Sequence, residues 1–466
     1  MKNYKLSKFT IIVGLESTSE KSMLVHGYTG AIDIVSNNVI QYLANIENIN
    51  ENDFSLISQN TFEVLIRRGY VTTKSDEEEY KYVLSLSNIM DKTRTLYPKQ
   101  FMFMVAYNCN FRCPYCYEGK LTPNCRQWSG KVLSKEMVDM AYDSMTVIEK
   151  KQELHNKQII LYGGEPLLKE NKSIIEYIVR KGKELGYYFA AITNGYDLNF
   201  FEDLLEYDLI RMLQITVDGC EEHHNKRRIH YQNKDSFKVI IHNIGIALQK
   251  GVTVAIRVNT DHNNIGDLLR LEKLFDKLGY SKYANFSINS ALLVDYSPSN
   301  SKNNHSVQNF SKELNYMNRL EYLNQLNKIG FRECQDFGIY NRLYSSIKHN
   351  THLSFRTFFC GAQTGMYIFD PFGDIYSCWN DVGNVDNAIG NYLNGIQWTK
   401  AKEIWLNTGV LTYEECCHCK YIFLCRGGCV SHSILKNKGI KPYCDDFNDS
   451  FIYAANRAYN EYIMSI

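Results

Sequence analysis

The sequence predicts an α/β protein on a parallel sheet, either an open doubly wound one or an incomplete barrel. A small winged-helix-like module precedes the sheet and a cysteine-rich segment follows it. Three observations carry this reading. Between residues 99 and 295, apolar strand-like runs alternate with amphipathic helical stretches six times, the pattern that builds parallel sheets. Residues 1–95 hold no cysteine and read as short strands followed by helices. Ten of the fourteen cysteines fall into two spaced groups, Cys109 to Cys116 and Cys360 to Cys444, and small loop-rich folds of the second kind need staples.

In order along the chain, Phe9 to Val13 and Ser22 to Tyr28 are strand-like, with a turn at Thr29-Gly30. Asn37 to Asn45 and Asn52 to Arg68 carry apolar residues at helical spacing. The acidic run Asp76 to Glu79 reads as a solvated loop or helix start. The sheet strands are Gln100 to Tyr107, Gln158 to Tyr162, Tyr188 to Thr193, Met212 to Val217, Thr253 to Val258 and Asn285 to Leu293. Helical stretches at Lys135 to Glu149, Lys172 to Leu185, Phe237 to Gln249 and Ile265 to Leu278 lie between them. Residues 296–350 are polar and read as a linker with helix around Leu314 to Lys328, and Met366 to Tyr376 reads as a hairpin opening the last domain, 351–466.

Composition narrows the function. With 52 Lys+Arg against 51 Asp+Glu and a net charge of +1, the chain lacks the basic footprint that nucleic-acid binding demands. No apolar run approaches the roughly 18 residues that cross a bilayer, and Met1 to Lys8 lacks a signal-peptide apolar region. No membrane is expected as a partner, and the expected location is the cytoplasm. There, fourteen cysteines point to metal or redox chemistry, since disulfide frameworks belong to oxidising compartments.

Ligands of such sheets bind beyond the carboxyl ends of the strands, and that rim holds the unusual residues. The first strand leads to Cys109-Asn-Phe-Arg-Cys113-Pro-Tyr115-Cys116, the second to Gly163-Gly164-Glu165-Pro166, the third to Thr193-Asn194-Gly195, the fourth to Asp218-Gly219 and the fifth to Asn259. Three thiolates within eight residues suit three irons of a [4Fe-4S] cube, leaving the fourth iron open. A three-cysteine zinc knuckle and unliganded core cysteines are the alternatives, and zinc would want a fourth ligand at short spacing.

The C-x3-C-x2-C loop followed by Gly-Gly-Glu-Pro resembles the radical S-adenosylmethionine (SAM) superfamily over about residues 99–294, which implies a partial (β/α)6 barrel. In that family SAM chelates the open iron, and electron transfer cleaves it to methionine and a 5′-deoxyadenosyl radical that abstracts hydrogen from substrate. Carried over by motif position, the resemblance implies that Cys109, Cys113 and Cys116 hold the cluster and that the Tyr115 backbone lies near the adenine. Gly163, Gly164 and Glu165 would meet the methionyl end, where a carboxylate suits an ammonium. Asn194 lies on the same rim. Thr216 stands where the family's Ser-Leu-Asp-Gly strand has Ser, and Arg228 stands where its arginine meets the SAM carboxylate. His224 reads more simply as a residue of a polar loop.

Cys360, Cys378 and then Cys416-x2-Cys419-x5-Cys425-x3-Cys429 with Cys444 resemble the SPASM domain of peptide- and protein-modifying radical SAM enzymes. The resemblance implies one auxiliary [4Fe-4S] cluster on Cys416, Cys419, Cys425 and Cys444, and another on Cys360, Cys378 and Cys429. Cys334 or Cys417 could complete the second, or its iron could stay open. A zinc site on Cys416, Cys419, Cys425 and Cys429 is the plainer alternative. Cluster potentials span about −700 to +450 mV, so several clusters suggest electron traffic.

The resemblance implies a maturase of ribosomally made peptides, forming a thioether or carbon–carbon crosslink or epimerising a residue. Residues 1–95 resemble the leader-recognition modules of such enzymes, so the implied partners are a precursor peptide with a leader and an electron donor such as flavodoxin or ferredoxin. The alternative is an anaerobic sulfatase-maturating enzyme making formylglycine. Those enzymes begin close to the cysteine loop and place Asp directly after the Gly-x4-Cys cysteine. Here about 100 residues precede the loop and Trp379 follows Cys378, although Asp381 is close by.

Overall fold

The computed structural model describes residues 3–48, 54–116, 129–294, 314–331, 333, 338–437, 439–444 and 446–466. Cys125 and Cys334, the latter a suggested cluster ligand, lie outside these, as do residues 295–313. The chain forms two compact units. One comprises Met1–Thr95, Gln335–Cys360 and Asn407–Ile466, and the other Leu96–Cys334 and Gly361–Leu406. Among the described residues no helix is long and apolar enough to cross a membrane.

In the first unit, β1 (Lys5–Leu6) precedes an antiparallel meander of β2 (Thr10–Gly14), β3 (Lys21–His26) and β4 (Ile32–Ser36), and β5 (Val71–Thr72) pairs with β1. Side chains alternate across a strand, so Met23 and Val25 face one way and Leu24 the other. Leu24 joins Tyr42, Leu43, Phe62 and Leu65 of the helices Asn37–Asn45 and Gln59–Arg68. Met23 and Val25 join Phe451, Ala454 and Ala458 of the last helix, Phe447–Met464. Both faces of β3 are therefore buried, the second by the far end of the chain. The acidic run forms the first turn of the helix Asp76–Asp91, closed by a Ser75–Glu78 capping box. Asp76, Glu77 and Glu78 are solvated, but Glu79 is fully buried, accepting from Ser7 Oγ (2.5 Å) and Tyr28 Oη (3.1 Å).

In the second unit, β6 (Gln100–Met104), β7 (Gln158–Tyr162), β8 (Tyr188–Thr193), β9 (Ile210–Thr216), β10 (Thr253–Thr260) and β11 (Phe286–Leu292) are parallel neighbours in unbroken sequence order. A doubly wound sheet reverses its strand order at a switch point; this one does not, which selects the incomplete barrel. Helices Lys135–Ile148, Lys172–Glu184, Phe237–Gln249 and Leu268–Lys277 lie in the crossovers. Phe101 to Ala106 are all fully buried, as expected for a parallel strand covered on both faces. The hairpin of β12 (Met366–Phe369) and β13 (Asp374–Tyr376) forms as expected, but β12 also runs parallel to β6, Met366 opposite Gln100. With β14 (Gly390–Asn391) and β15 (Gln397–Trp398) it extends the barrel sheet to ten strands. Tyr107 Oη donates to the buried Asp370 (2.7 Å), fixing the rim of β6 to the end of β12.

Candidate active site

The carboxyl ends of β6 to β10 bring the motif residues to one rim. The loop after β7 lies directly on the one after β6: the N–H of Gly164 donates to Ala106 O and that of Glu165 to Asn108 O, both at 3.0 Å. A Cβ on Gly163 would stand 2.5 Å from Ala106 O, and one on Gly164 2.4 Å from Tyr107 O and 2.6 Å from Asn108 O. Only glycine permits this approach, because every obstructing atom is backbone.

Glu165 is buried. Its Oε1 accepts from Thr193 Oγ1 (2.6 Å) and the Leu167 N–H (2.8 Å), and its Oε2 from the Asn194 N–H (2.5 Å). Burial pushes its pKa up to about 7 against these donors. A carboxylate has about four acceptor sites, so Oε2 keeps one. Asn194 in turn donates from Nδ2 to Asn110 Oδ1 (2.7 Å) and lies 3.9 Å from Cys109 Sγ. The clasp formed by Glu165 between β7 and β8, with Thr193 as a partner, was not apparent from the motif; the hydroxyl directly before Asn194 was the available signal.

A second network closes the other side. Tyr115 Oη donates to the buried Asp218, accepts from Arg228 Nη1 (2.9 Å) and lies 3.3 Å from Asn259 Nδ2. Asp218 Oδ1 also accepts the Asn259 N–H (3.0 Å). Thr216, at the end of β9, is buried beside it in sequence. Arg228 is buried too, its guanidinium 5.4 Å from the centre of the Phe111 ring. Burial opposes its charge, but Tyr115, Cys113 and Asp218 outweigh burial and raise its pKa. Among the described residues Arg228 Nε is buried with no hydrogen-bond partner, a vacancy that an anion would fill. His224 has the structural role expected of it. Its Nδ1 accepts the Asp218 N–H (3.3 Å), its Nε2 meets Ser236 Oγ (3.1 Å), and burial followed by Arg228 lowers its pKa. The sequence reading missed Asp218 as the centre of this network, and also Arg227, whose fully buried side chain pairs with Asp261 at 2.5 Å.

Cys109 and Cys113 sit at this rim with perturbed thiols. Burial, then Glu165 and Cys113, raises Cys109 well above an ordinary thiol. Burial brings Cys113 to about 11, with Arg228 opposing and Asp218 reinforcing. A polar cavity of about 310 Å³ opens beside Cys109, lined among others by Arg112, Tyr196, His230 and Asn233. In the first unit, burial raises Cys416, and the neighbouring thiols of Cys425, Cys419 and Cys444 raise it further; burial and Cys444 bring Cys425 to about 12. The β-bridge between Gly428 and Tyr443 draws these segments together. Gly428 has φ +72°, and a Cβ there would fall 1.8 Å from Tyr443 O. Cys360 and Cys429 belong to this unit and the buried Cys378 to the other.

Buried thiols that suppress one another's ionisation are stable as thiolates only with a cation to hold. Among the described residues no three Cys, His, Asp or Glu side chains converge on one metal ion. With the glycine approach and the unpartnered Arg228 Nε, the residues present fit a [4Fe-4S] cluster and SAM.

Residues 104–275 match the model of the radical SAM superfamily. That span is a radical SAM domain; the chain is an enzyme of radical chemistry, and its cofactors are a [4Fe-4S] cluster and SAM. It is similar to a cysteine-type anaerobic sulfatase-maturating enzyme of Clostridium novyi, 22% identical over 342 residues that cover 69% of this chain and 85% of that protein. It is also similar to the radical SAM cyclopropyl synthase TigE of Paramaledivibacter caminithermalis, 21% identical over 462 residues, 94% of this chain and 92% of that one. The solved structure of native anSMEcpe with bound AdoMet and Cp18Cys peptide shares the fold, with a TM-score of 0.54 at 17% identity over 78% of this chain and 99% of the other.

Proposed function

We propose that this enzyme modifies a ribosomally made precursor peptide, recognised through a leader segment, by hydrogen abstraction that leads to a crosslink or to epimerisation. The observation that carries this is the N-terminal module. Its antiparallel meander backed by helices is a fold that can take an extended peptide along a strand edge. TigE, similar over 94% of this chain, spans the length that includes this module. The fold shared with anSMEcpe, solved with a bound peptide, supports a peptide substrate.

Cys109, Cys113 and Cys116 hold the SAM-binding cluster, with electrons supplied by a flavodoxin- or ferredoxin-type donor. The bound cluster and SAM supply a carbon-centred radical able to take hydrogen from an unactivated C–H bond. The chain's part is positioning. Glu165 Oε2 has one acceptor site for the SAM ammonium, and Arg228 Nε a free donor for its carboxylate. Gly163 and Gly164 leave room at the methionyl end, the Tyr115 backbone lies near the adenine, and Asn194 and Thr216 complete the SAM-binding rim. Cys416, Cys419, Cys425 and Cys444 hold an auxiliary cluster, and Cys360, Cys378 and Cys429 are assigned to a second by the resemblance to the SPASM domain.

Formylglycine formation is the second reading, favoured by the similarity to sulfatase-maturating enzymes. Trp379 after Cys378 counts against it. Anaerobic incubation with SAM, a low-potential reductant and the peptide encoded beside the gene, followed by mass spectrometry, separates the readings. Loss of two hydrogens means a crosslink, and unchanged mass with solvent deuterium uptake means epimerisation. If only a sulfatase-derived Cys peptide is converted, to formylglycine, the maturase reading fails.

A further inference from the structure

The N-terminal module and the cysteine loop at 416–425 share one compact unit, and the contacts between them fall on both sides of one cysteine. Cys419 lies between His418 and Lys420. The ring of Tyr80, on the helix Asp76–Asp91, stacks on the His418 ring with centroids 4.3 Å apart and planes 7° from parallel. On the other side, the turn after β3 presses on Lys420: a Cβ on Gly27 would lie 2.1 Å from Lys420 O and 3.1 Å from its carbonyl carbon. Just beyond, Phe9, Tyr28 and Val83 of the module share one buried cluster with Ile422 and Phe423, between Cys419 and Cys425. The same turn is pinned from below, where Leu353 N–H donates to Gly30 O (2.8 Å).

We propose that the N-terminal module is a positioning element for the auxiliary cluster: the Gly27 turn and the Tyr80 ring together set where Cys419 stands relative to Cys416, Cys425 and Cys444. A module that served only to bind a peptide would need no backbone contact with a ligand loop. Here the module cannot shift without moving Lys420 and His418, and with them Cys419. The coupling is reciprocal, so loss of the cluster loosens the turn and the start of the Tyr80 helix. The inference rests on the reading of Cys416, Cys419, Cys425 and Cys444 as cluster ligands.

The test uses the full chain, reconstituted anaerobically, in four forms: Cys419→Ser, Gly27→Ala, Tyr80→Ala and Tyr80→Phe. Iron and sulfide per chain, the Mössbauer and EPR signatures of each cluster, and amide exchange in the module are read. Cys419→Ser is expected to lose one cluster's iron, about four atoms, and to speed exchange at residues 26–30. Gly27→Ala is expected to lose the same iron while the cluster on Cys109, Cys113 and Cys116, in the other unit, is retained as the internal control. Tyr80→Ala, at a half-buried site, is expected to change the spectrum and potential of that cluster, and Tyr80→Phe to restore both. If Cys419→Ser loses iron but Gly27→Ala and Tyr80→Ala keep a full complement with an unaltered spectrum, the positioning role is overturned and the ligand assignment stands. If Cys419→Ser loses no iron, the ligand assignment falls and the proposal with it.

Discussion

Replacing Gly164 by alanine tests the rim most sharply, because the clash has no side-chain escape. The new Cβ would stand 2.4 Å from Tyr107 O, 2.6 Å from Asn108 O and 2.9 Å from the Asn108 carbonyl carbon. Real Cβ contacts do not fall below 3.0 Å, so one loop must retreat by at least about 0.6 Å from the other. The retreat stretches two bonds now at 3.0 Å, from Gly164 N–H to Ala106 O and from Glu165 N–H to Asn108 O. At about 1 kcal/mol each the loss is about 2 kcal/mol, or about 30-fold in an equilibrium constant. It falls on the edge proposed above to meet the methionyl group, so SAM affinity is expected to drop by about 30-fold while iron content stays at the wild-type level. Anaerobic calorimetric titration of SAM, with iron measured on the same samples, reads both. An affinity within twofold of wild type, with the clusters intact, would show that these loops do not border SAM.

Other expectations follow from the same geometry. Tyr115→Phe removes the hydroxyl shared by Asp218, Arg228 and Asn259; it should cost about 1.5–3 kcal/mol in thermal unfolding with iron unchanged, and an unaltered melting curve would contradict the network. Gly428→Ala imposes a left-handed conformation, costing about 1–2 kcal/mol, and a Cβ 1.8 Å from Tyr443 O; it should release the iron of the cluster proposed on Cys416, Cys419, Cys425 and Cys444, which iron analysis would detect. His26 is fully buried, Nδ1 accepting the Thr29 N–H (3.2 Å) and Nε2 meeting Ser7 Oγ (3.0 Å), and burial followed by the Lys74 charge lowers its pKa to about 3. Because the folded pKa lies below the unfolded 6.5, the neutral form's stability is fully present above about pH 6.5 and is lost as pH falls toward 3. The linkage amounts to about 2 kcal/mol between pH 7.5 and 5, so over that range the wild type should lose about 2 kcal/mol relative to His26→Gln, measured by denaturant unfolding of both; parallel pH profiles would contradict the assignment.

Much of the barrel was legible because its signals are local. Gln158 to Tyr162 and Tyr188 to Thr193 are apolar runs between turn residues, and they begin and end where expected. The cysteine loop and Gly-Gly-Glu-Pro fixed the rim because close backbone approach demands glycine at those two positions. What stayed hidden depends on pairing between distant segments. The alignment of β12 with β6 joins residues about 265 apart, and nothing in Met366 to Phe369 distinguishes a hairpin strand from a barrel strand. Glu79 looked like any member of an acidic run, since its burial comes from Ser7 and Tyr28 elsewhere in the chain. The use of the C-terminal helix to cover the N-terminal meander was equally out of reach, because a half-apolar helix does not name its partner. At the site, the sequence marked Tyr115, Asp218 and Arg228 one by one, but only the fold shows the phenol bridging the carboxylate and the guanidinium.

The central claim is that Cys109, Cys113 and Cys116 hold a cluster that cleaves SAM in this rim. It is tested most directly by incubating the anaerobically reconstituted chain with SAM and dithionite and quantifying 5′-deoxyadenosine, beside a variant with all three cysteines changed to alanine. The account predicts 5′-deoxyadenosine from the wild type and none from the variant, which should keep its auxiliary iron. Cleavage by the variant, or none by a wild type with its full iron, would contradict the account.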